Sequence, residues 1–238
     1  MTEALVLLGF AYLLGSIPFG LVITTLYGGD LDIRQAGSTN IGATNVARLY
    51  GWRLAAPALA ADVLKGLLPV LMASALWPNA NIAWLGLVGA AAWTGHCFSV
   101  YLEFRGGKGV ATGAGVMLGV APLPTAAAVA TWALILKLTG RSSVAALVAV
   151  VAMVAFTWKL APTALIIAAL LAIATLLTHV ANIKRLVRGE EEAVVKSVRW
   201  NRAGTERPSV EQLLSEGPAG GASTPPQWRE TIDDPLDS

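Results

Sequence analysis

The chain has 238 residues, of which 55% are hydrophobic and 13% charged, with a formal net charge of +2. A soluble domain carries about 25% charged residues, so the composition excludes an ordinary water-soluble globule, and no nucleic-acid partner is expected. A single cysteine, Cys97, excludes an intramolecular disulfide and a thiolate metal cluster.

Residues 4–27 carry no charge over 24 positions, enough to cross a hydrocarbon core of about 30 Å at about 1.5 Å per residue. Glu3 stands where a signal peptide would want a positive n-region, and no small-x-small cleavage site precedes the polar segment. The run therefore reads as an uncleaved first span. Further apolar spans are expected at 54–77, 82–102, 110–121, 125–138, 144–158 and 163–181. Trp77-Pro78-Asn79 ends the second, with Trp77 and Trp84 placed as interfacial anchors. Segment 110–121 is short and needs a thin or shielded position.

Pro122 and Pro124 divide one long apolar run, and Ala161-Pro162 divides the next. Because proline removes a backbone donor, each division is either a break or a kink, so seven spans compete with five. Charge decides between them. With seven, 15 of the 17 Lys and Arg residues fall on one side, Lys159 alone on the other, and Lys65 inside the second span. Merging spans destroys this asymmetry, so the positive-inside rule favours seven. The expected fold is an all-α polytopic membrane protein of about seven transmembrane helices, N-terminus outside and C-terminus cytoplasmic. Residues 1–195 form the membrane domain. The Pro-, Gly-, Ser- and acid-rich segment 196–238 is expected to be a disordered cytoplasmic tail.

Four polar stretches interrupt the apolar chain, at 37–48, 104–112, 141–143 and 179–186. Each combines Gly, Ser, Thr or Asn with a cation, and this topology brings all four to the cytoplasmic face. In the first, Gly37, Ser38, Thr39 and Asn40 offer a turn whose N–H groups form an anion-binding concavity. A short helix over 41–49 follows, adding partial positive charge at its N-terminus near Thr44 and Asn45. Arg48 is close enough to return its planar fork to the same anion.

In the second stretch Gly106, Gly107 and Gly109 surround Lys108, directly after Phe104-Arg105. This is neither a P-loop nor a dinucleotide fingerprint, but it allows backbone approach beside a point charge. His96, upstream, reads as a buried structural histidine. Ser142 and Ser143 begin the sixth span, and either serves as a helix cap. His179 and Asn182 share one helical face, and an ionisable group at that depth points to function. Lys184, Arg185 and Arg188 read as a headgroup-binding cluster, and Asp62 and Lys65 as a structural i, i+3 pair.

Absent patterns narrow the chemistry. No His-x4-Asp motif follows either histidine, no Asp-rich array is present, and no Gly-x-Ser-x-Gly elbow occurs. No metal site is expected, and no cofactor.

The blocks Gly-Ser-Thr-Asn-Ile-Gly-Ala-Thr-Asn-Val-Ala-Arg from Gly37, Gly-His-x8-Arg-Gly-Gly-Lys-Gly-Val-Ala-Thr from Gly95, and His-x2-Asn-Ile-x-Arg-Leu-x2-Gly-x-Glu from His179 occur in this order. Gly15-Ser16-Ile17-Pro18-Phe19-Gly20 and Asp62-x2-Lys65-Gly66 accompany them. Over roughly residues 9–192 the chain resembles the bacterial acyl-phosphate:glycerol-3-phosphate acyltransferases. Ser99 departs from the resemblance, which has proline there. The resemblance implies functional roles for Ser38, Arg48, Lys108, Ser143, His179, Asn182 and Glu191, with Glu191 and His96 in support. It implies acyl phosphate and sn-glycerol 3-phosphate as substrates, membrane lipids as surroundings, and the inner membrane of a bacterium as location. The proton acceptor for the attacking hydroxyl is either the donor's own phosphate or His179. A transporter or channel for phosphorylated anions is the competing class; it should show inverted repeats and polar groups on both faces.

Overall fold

Long apolar runs in lipid leave the backbone only itself to hydrogen-bond with, and among the described residues every regular element is helical. The computed structural model describes residues 2–27 and 31–194; the tail expected at 196–238 lies outside the described residues. The helices are α1 (Thr2–Ser16), α2 (Phe19–Leu26), α3 (Ala43–Tyr50), α4 (Trp52–Leu76), α5 (Ile82–Cys97), α6 (Val110–Val120), α7 (Pro122–Thr139), α8 (Ser142–Leu160), α9 (Leu165–Thr178) and α10 (Val180–Val187). Two 3₁₀ turns, Val100–Leu102 and Pro162–Ala164, follow α5 and precede α9.

Helices occupy the expected apolar segments in the expected order, with differences that have local causes. The first is not one straight helix. Pro18 cannot donate into the ladder, and α1 meets α2 at 49°. The last also bends, by 59°, at His179 without any proline. There His179 Nδ1 donates to the Thr175 carbonyl, the Thr178 hydroxyl proton is shared between the Thr175 and Lys108 carbonyls, and the His179 N–H falls back on Leu176. Side chains have displaced the backbone from its own i−4 acceptor. Pro122 stands in the first turn of α7 and Pro162 opens the second 3₁₀ turn, so both divisions are true breaks.

Among the described residues, four stretches are long and apolar enough to cross a membrane: α4, Ile82–Leu102, α7 and α8. Counting each bent pair as one span raises this to six. α6 is apolar but has 11 residues, about 16 Å at 1.5 Å per residue, half a hydrocarbon core.

Lipid solvation shows in what faces outward. On α9 the exposed residues Ile166, Leu170, Ile173 and Leu177 recur at helical spacing, an apolar stripe that water would not tolerate. Between helices, small residues permit close backbone approach. A side chain on Gly95 in α5 would strike the backbone of α1, and one on Gly115 in α6 would strike the Val63 carbonyl of α4. Such contacts drive packing where lipid gives no hydrophobic advantage. Ser99 donates to the Ser16 carbonyl at 2.6 Å, and the chain still turns after α5 without the proline of the resembling family.

Asp62 and Lys65 form the expected i, i+3 pair. Lys65 Nζ lies 2.8 Å from Asp62 Oδ1, donates to the Ile17 carbonyl at 2.8 Å, and sits 5.6 Å from the Phe19 ring centroid. It thereby anchors the α1–α2 break. Both side chains are essentially inaccessible. Lys65→Ala should destabilise the protein by about 3–5 kcal/mol, because Asp62 is left charged and unpaired. Detergent thermal unfolding and yield should fall further than the specific activity of the folded remainder.

Candidate functional site

The elements around the break at His179 enclose a cavity of about 270 Å³. Its wall joins two chemistries. One part is apolar, with Met117 from α6, Ala128 and Trp132 from α7, Ala146, Ala149 and Met153 from α8, and Leu171 from α9. The other carries Ser38, Arg48, Lys108, Ser143, His179 and Asn182, drawn from all four polar stretches, and Glu191 from just beyond the last. Asn40, Thr44, Asn45, Gly109 and His96 line it as well.

α3 carries Arg48 inward. Burial pulls the Arg48 guanidinium below its ordinary pKa, against the opposing pull of Glu192 and Glu191. Its terminal nitrogen donates to the Glu192 carbonyl at 3.3 Å, while Nε is buried without a partner in the protein. Lys108 sits in the loop ahead of α6. Burial is the largest influence on its ammonium and pushes its pKa down to about 8; Glu191 opposes this, and Arg185 and Arg48 add to it. The Lys108 carbonyl accepts the Thr178 hydroxyl at 2.9 Å, which joins this loop to the end of α9.

Glu191 is the hub. Its two carboxylate oxygens accept from Asn182 Nδ2 and Arg185 Nε, each at 2.7 Å. Burial works against this carboxylate most strongly, but Ser143, Asn182 and Arg185 together outweigh it and hold its pKa below the usual range. Ser143 Oγ and Asn182 Oδ1 are buried and make no well-formed hydrogen bond within the protein. Buried polar groups are normally paired; Arg48 Nε, Asp62 Oδ1 (apart from its ion pair with Lys65) and His96 Nδ1 likewise make no well-formed hydrogen bond within the protein, and all five residues line the cavity. His179 Nδ1 lies 2.8 Å from the Thr175 carbonyl. A carbonyl only accepts, so Nδ1 carries the proton and the lone pair stands on Nε2.

Other expected positions serve differently. Gly37, Thr39, Gly106 and Gly107 stay outside the cavity wall. Two of the N–H groups expected to cradle an anion are committed elsewhere, Ser38 to Asn45 Oδ1 and Thr39 to the Ala36 carbonyl, and the nearby Gly42 N–H donates to Asn40 Oδ1. Asn45 also donates to the Ile33 and Ala36 carbonyls, so it braces the turn. Gly106 and Gly107 donate to the Cys97 and His96 carbonyls. These stretches therefore present side chains to the cavity while their backbone N–H groups hold the fold. Thr44 pairs with Ser142 Oγ at 3.0 Å, tying α3 to α8 and leaving Ser143 to face Glu191.

Two residues read otherwise from sequence belong to the site. Asp62 lines the cavity although it lies far along the chain from the polar stretches. Arg185, expected to meet headgroups, turns to Glu191; its place three residues after Asn182, on the same helical face, was the available signal.

Comparison with known proteins shows the family. Residues 5–189 match the model of the glycerol-3-phosphate acyltransferase family. The glycerol-3-phosphate acyltransferase of Pseudomonas savastanoi pv. phaseolicola (strain 1448A / Race 6) is 48% identical over 183 residues, covering 76% of this chain and 93% of that protein. That of Sinorhizobium fredii (strain NBRC 101917 / NGR234) is 45% identical over 196 residues, covering 82% and 94%. The solved structure of PlsY (YgiH), an integral membrane glycerol 3-phosphate acyltransferase, is similar in two forms. Its glycerol 3-phosphate form has a TM-score of 0.74 and 35% identity, covering 80% of this chain and 95% of that one. Its lysophosphatidic acid form has a TM-score of 0.73 and 34% identity, covering 82% and 98%.

The Lys108 ammonium loses its proton as pH rises through about 8. If it holds a phosphate monoester, affinity should be full below that pH and weaken above it, where binding must take up a proton. Lys108→Arg should flatten this alkaline fall, because a guanidinium stays charged. Calorimetric titration of glycerol 3-phosphate from pH 7 to 10 in both proteins checks the sign; weakening with the same pH dependence in Lys108→Arg would assign the fall to another group.

Proposed function

We propose, for this chain, which belongs to the glycerol-3-phosphate acyltransferase family, the transfer of a fatty acyl group from acyl phosphate to the 1-hydroxyl of sn-glycerol 3-phosphate. The products are lysophosphatidic acid and inorganic phosphate. The relatives' names support the acceptor, and the lysophosphatidic acid form of the similar structure agrees with the product. The observation that carries the reading is the two-part cavity: buried cations and unpaired polar atoms open directly into an apolar channel between helices.

Both substrates bring phosphate, each carrying about −1.5 to −2 charge near neutral pH. Two such anions repel, so Arg48 and Lys108 must offset that repulsion as well as orient the substrates. The hydroxyl oxygen of glycerol 3-phosphate attacks the acyl carbonyl carbon. The new ester C–O bond forms, the acyl C–O bond to phosphate breaks, and phosphate leaves with the electron pair. An activated leaving group removes the need for an enzyme nucleophile. Positioning and stabilisation of the developing oxyanion supply most of the rate, with Ser38, Ser143 and Asn182 as the polar groups available beside the cations. The hydroxyl proton passes to the departing phosphate or to His179 Nε2, whose lone pair the Thr175 carbonyl leaves free. The acyl chain follows the apolar wall toward lipid.

The same reading places the active face on the cytoplasmic side of a bacterial plasma membrane, with seven crossings, the N-terminus outside and the C-terminus inside. Two features support it: the concentration of cations in the polar stretches and the convergence of those stretches on one cavity.

Two experiments test this. Purified protein offered acyl phosphate, acyl-CoA and acyl carrier protein thioester in parallel should use acyl phosphate and essentially nothing else; comparable rates with a thioester would remove the donor assignment. In a Cys97-free background, cysteines replacing Ser38, Lys108, Ser143 or Glu191 should resist an impermeant reagent added outside intact cells. Those replacing Asn79 or Lys159 should react. Outside labelling at position 108 would overturn the orientation.

A further inference from the structure

We propose that His96 is a positioning residue: its imidazole, packed beside the buried Asp62 carboxylate, is the seat on which the loop carrying Lys108 rests. The inference depends on the reading of Lys108 as the phosphate-holding cation and adds what fixes that cation in place.

His96 lies in the last turn of α5, is 4% exposed, and lines the cavity beside Asp62 and Lys108. On one side its Nδ1 stands 3.7 Å from Asp62 Oδ1, too far for a direct hydrogen bond but close enough to sense the charge. That carboxylate cannot drift, because Lys65 fastens it to α4 and to the Ile17 carbonyl at the α1–α2 break. On the other side lies the loop. The Gly106 and Gly107 N–H groups donate to the carbonyls of Cys97 and His96, at 3.0 and 2.9 Å. A Cβ on Gly107 would overlap the imidazole at Nε2, so glycine is required for the loop to close onto the ring. Lys108 is the next residue, and its carbonyl is gripped from the far side by Thr178.

A lysine side chain has about 2 kcal/mol of rotamer entropy and no fork to pre-organise it. Its ammonium can be held to the fraction of an ångström that catalysis requires only if its backbone is fixed. The imidazole on one side and the Thr178 hydroxyl on the other supply that constraint. His96 acts through Lys108 and does not itself touch the reacting atoms.

A merely structural histidine predicts something different. Losing it would lower folded yield and reduce activity by the same factor whether or not Lys108 is present. A double-mutant cycle separates the two, using the full chain, acyl phosphate and glycerol 3-phosphate at equal amounts of folded protein. Lys108→Ala alone should lose about two to three decades of rate. His96→Ala should lower kcat/KM for glycerol 3-phosphate by about tenfold or more in the presence of Lys108, and by less than about twofold in the Lys108→Ala background. Gly107→Ala provides a second route, since it displaces the ring from the loop side while leaving the buried charges intact. It should show the same dependence on Lys108. Equal losses in both backgrounds, or wild-type kcat/KM for the folded His96 and Gly107 variants, would overturn the seat. Near-wild-type activity of Lys108→Ala would instead overturn the underlying reading of Lys108, and the seat with it; the single variant reports that outcome separately.

Discussion

The polar half of the cavity depends on one buried carboxylate. Glu191 receives Asn182 and Arg185 at 2.7 Å each, while its backbone carbonyl accepts Arg141 Nε at 3.0 Å. One residue beyond α10 thus draws the start of α8 and the face of α10 together. It also supplies negative charge among Arg48, Lys108 and Arg185, which would otherwise repel one another in a poorly solvated space. That charge offsets the repulsion and lets Arg48 and Lys108 share one cavity wall.

Among the described residues, two departures from regular helix border this site. The break at His179 frees an imidazole lone pair because two side chains claim the Thr175 carbonyl. The loop before α6 leaves helical geometry, with Glu103 and Phe104 at positive φ, and is returned to order by hydrogen bonds to the end of α5. In lipid such departures are tolerated where they line a cavity or are buried in protein. The bend at Pro18 obeys the same condition, since Lys65 satisfies the Ile17 carbonyl there.

The remaining helices supply walls. Small residues let α1 approach α5 and α4 approach α6, giving a rigid frame on one side of the cavity. α7 and α8 pack against each other as a second frame and contribute the alanines and large apolar side chains of the channel. Outward, leucine, isoleucine and valine stripes meet lipid. The short α6 is possible because neighbouring helices shield it, with Val116 and Met117 fully enclosed.

Sequence alone determined the helical class, the order of the apolar segments and the four polar stretches, because lipid imposes a strong rule on what may stand in a span and what must interrupt it. Ser38, Arg48, Lys108, His179 and Asn182 stood out as polar residues interrupting apolar runs, Ser143 and Glu191 were singled out by the family resemblance, and all seven line one cavity. Only tertiary structure decided how these groups are used. It committed the N–H groups of Ser38, Thr39, Gly106 and Gly107 to the fold, set the His179 tautomer through the Thr175 carbonyl, and turned Arg185 inward to Glu191. It also brought Asp62 and His96 to the cavity wall from distant parts of the chain. Spacing along the chain reports which residues share a helix face, whereas hydrogen-bond partners between helices depend on crossings, breaks and close approaches that no local pattern encodes.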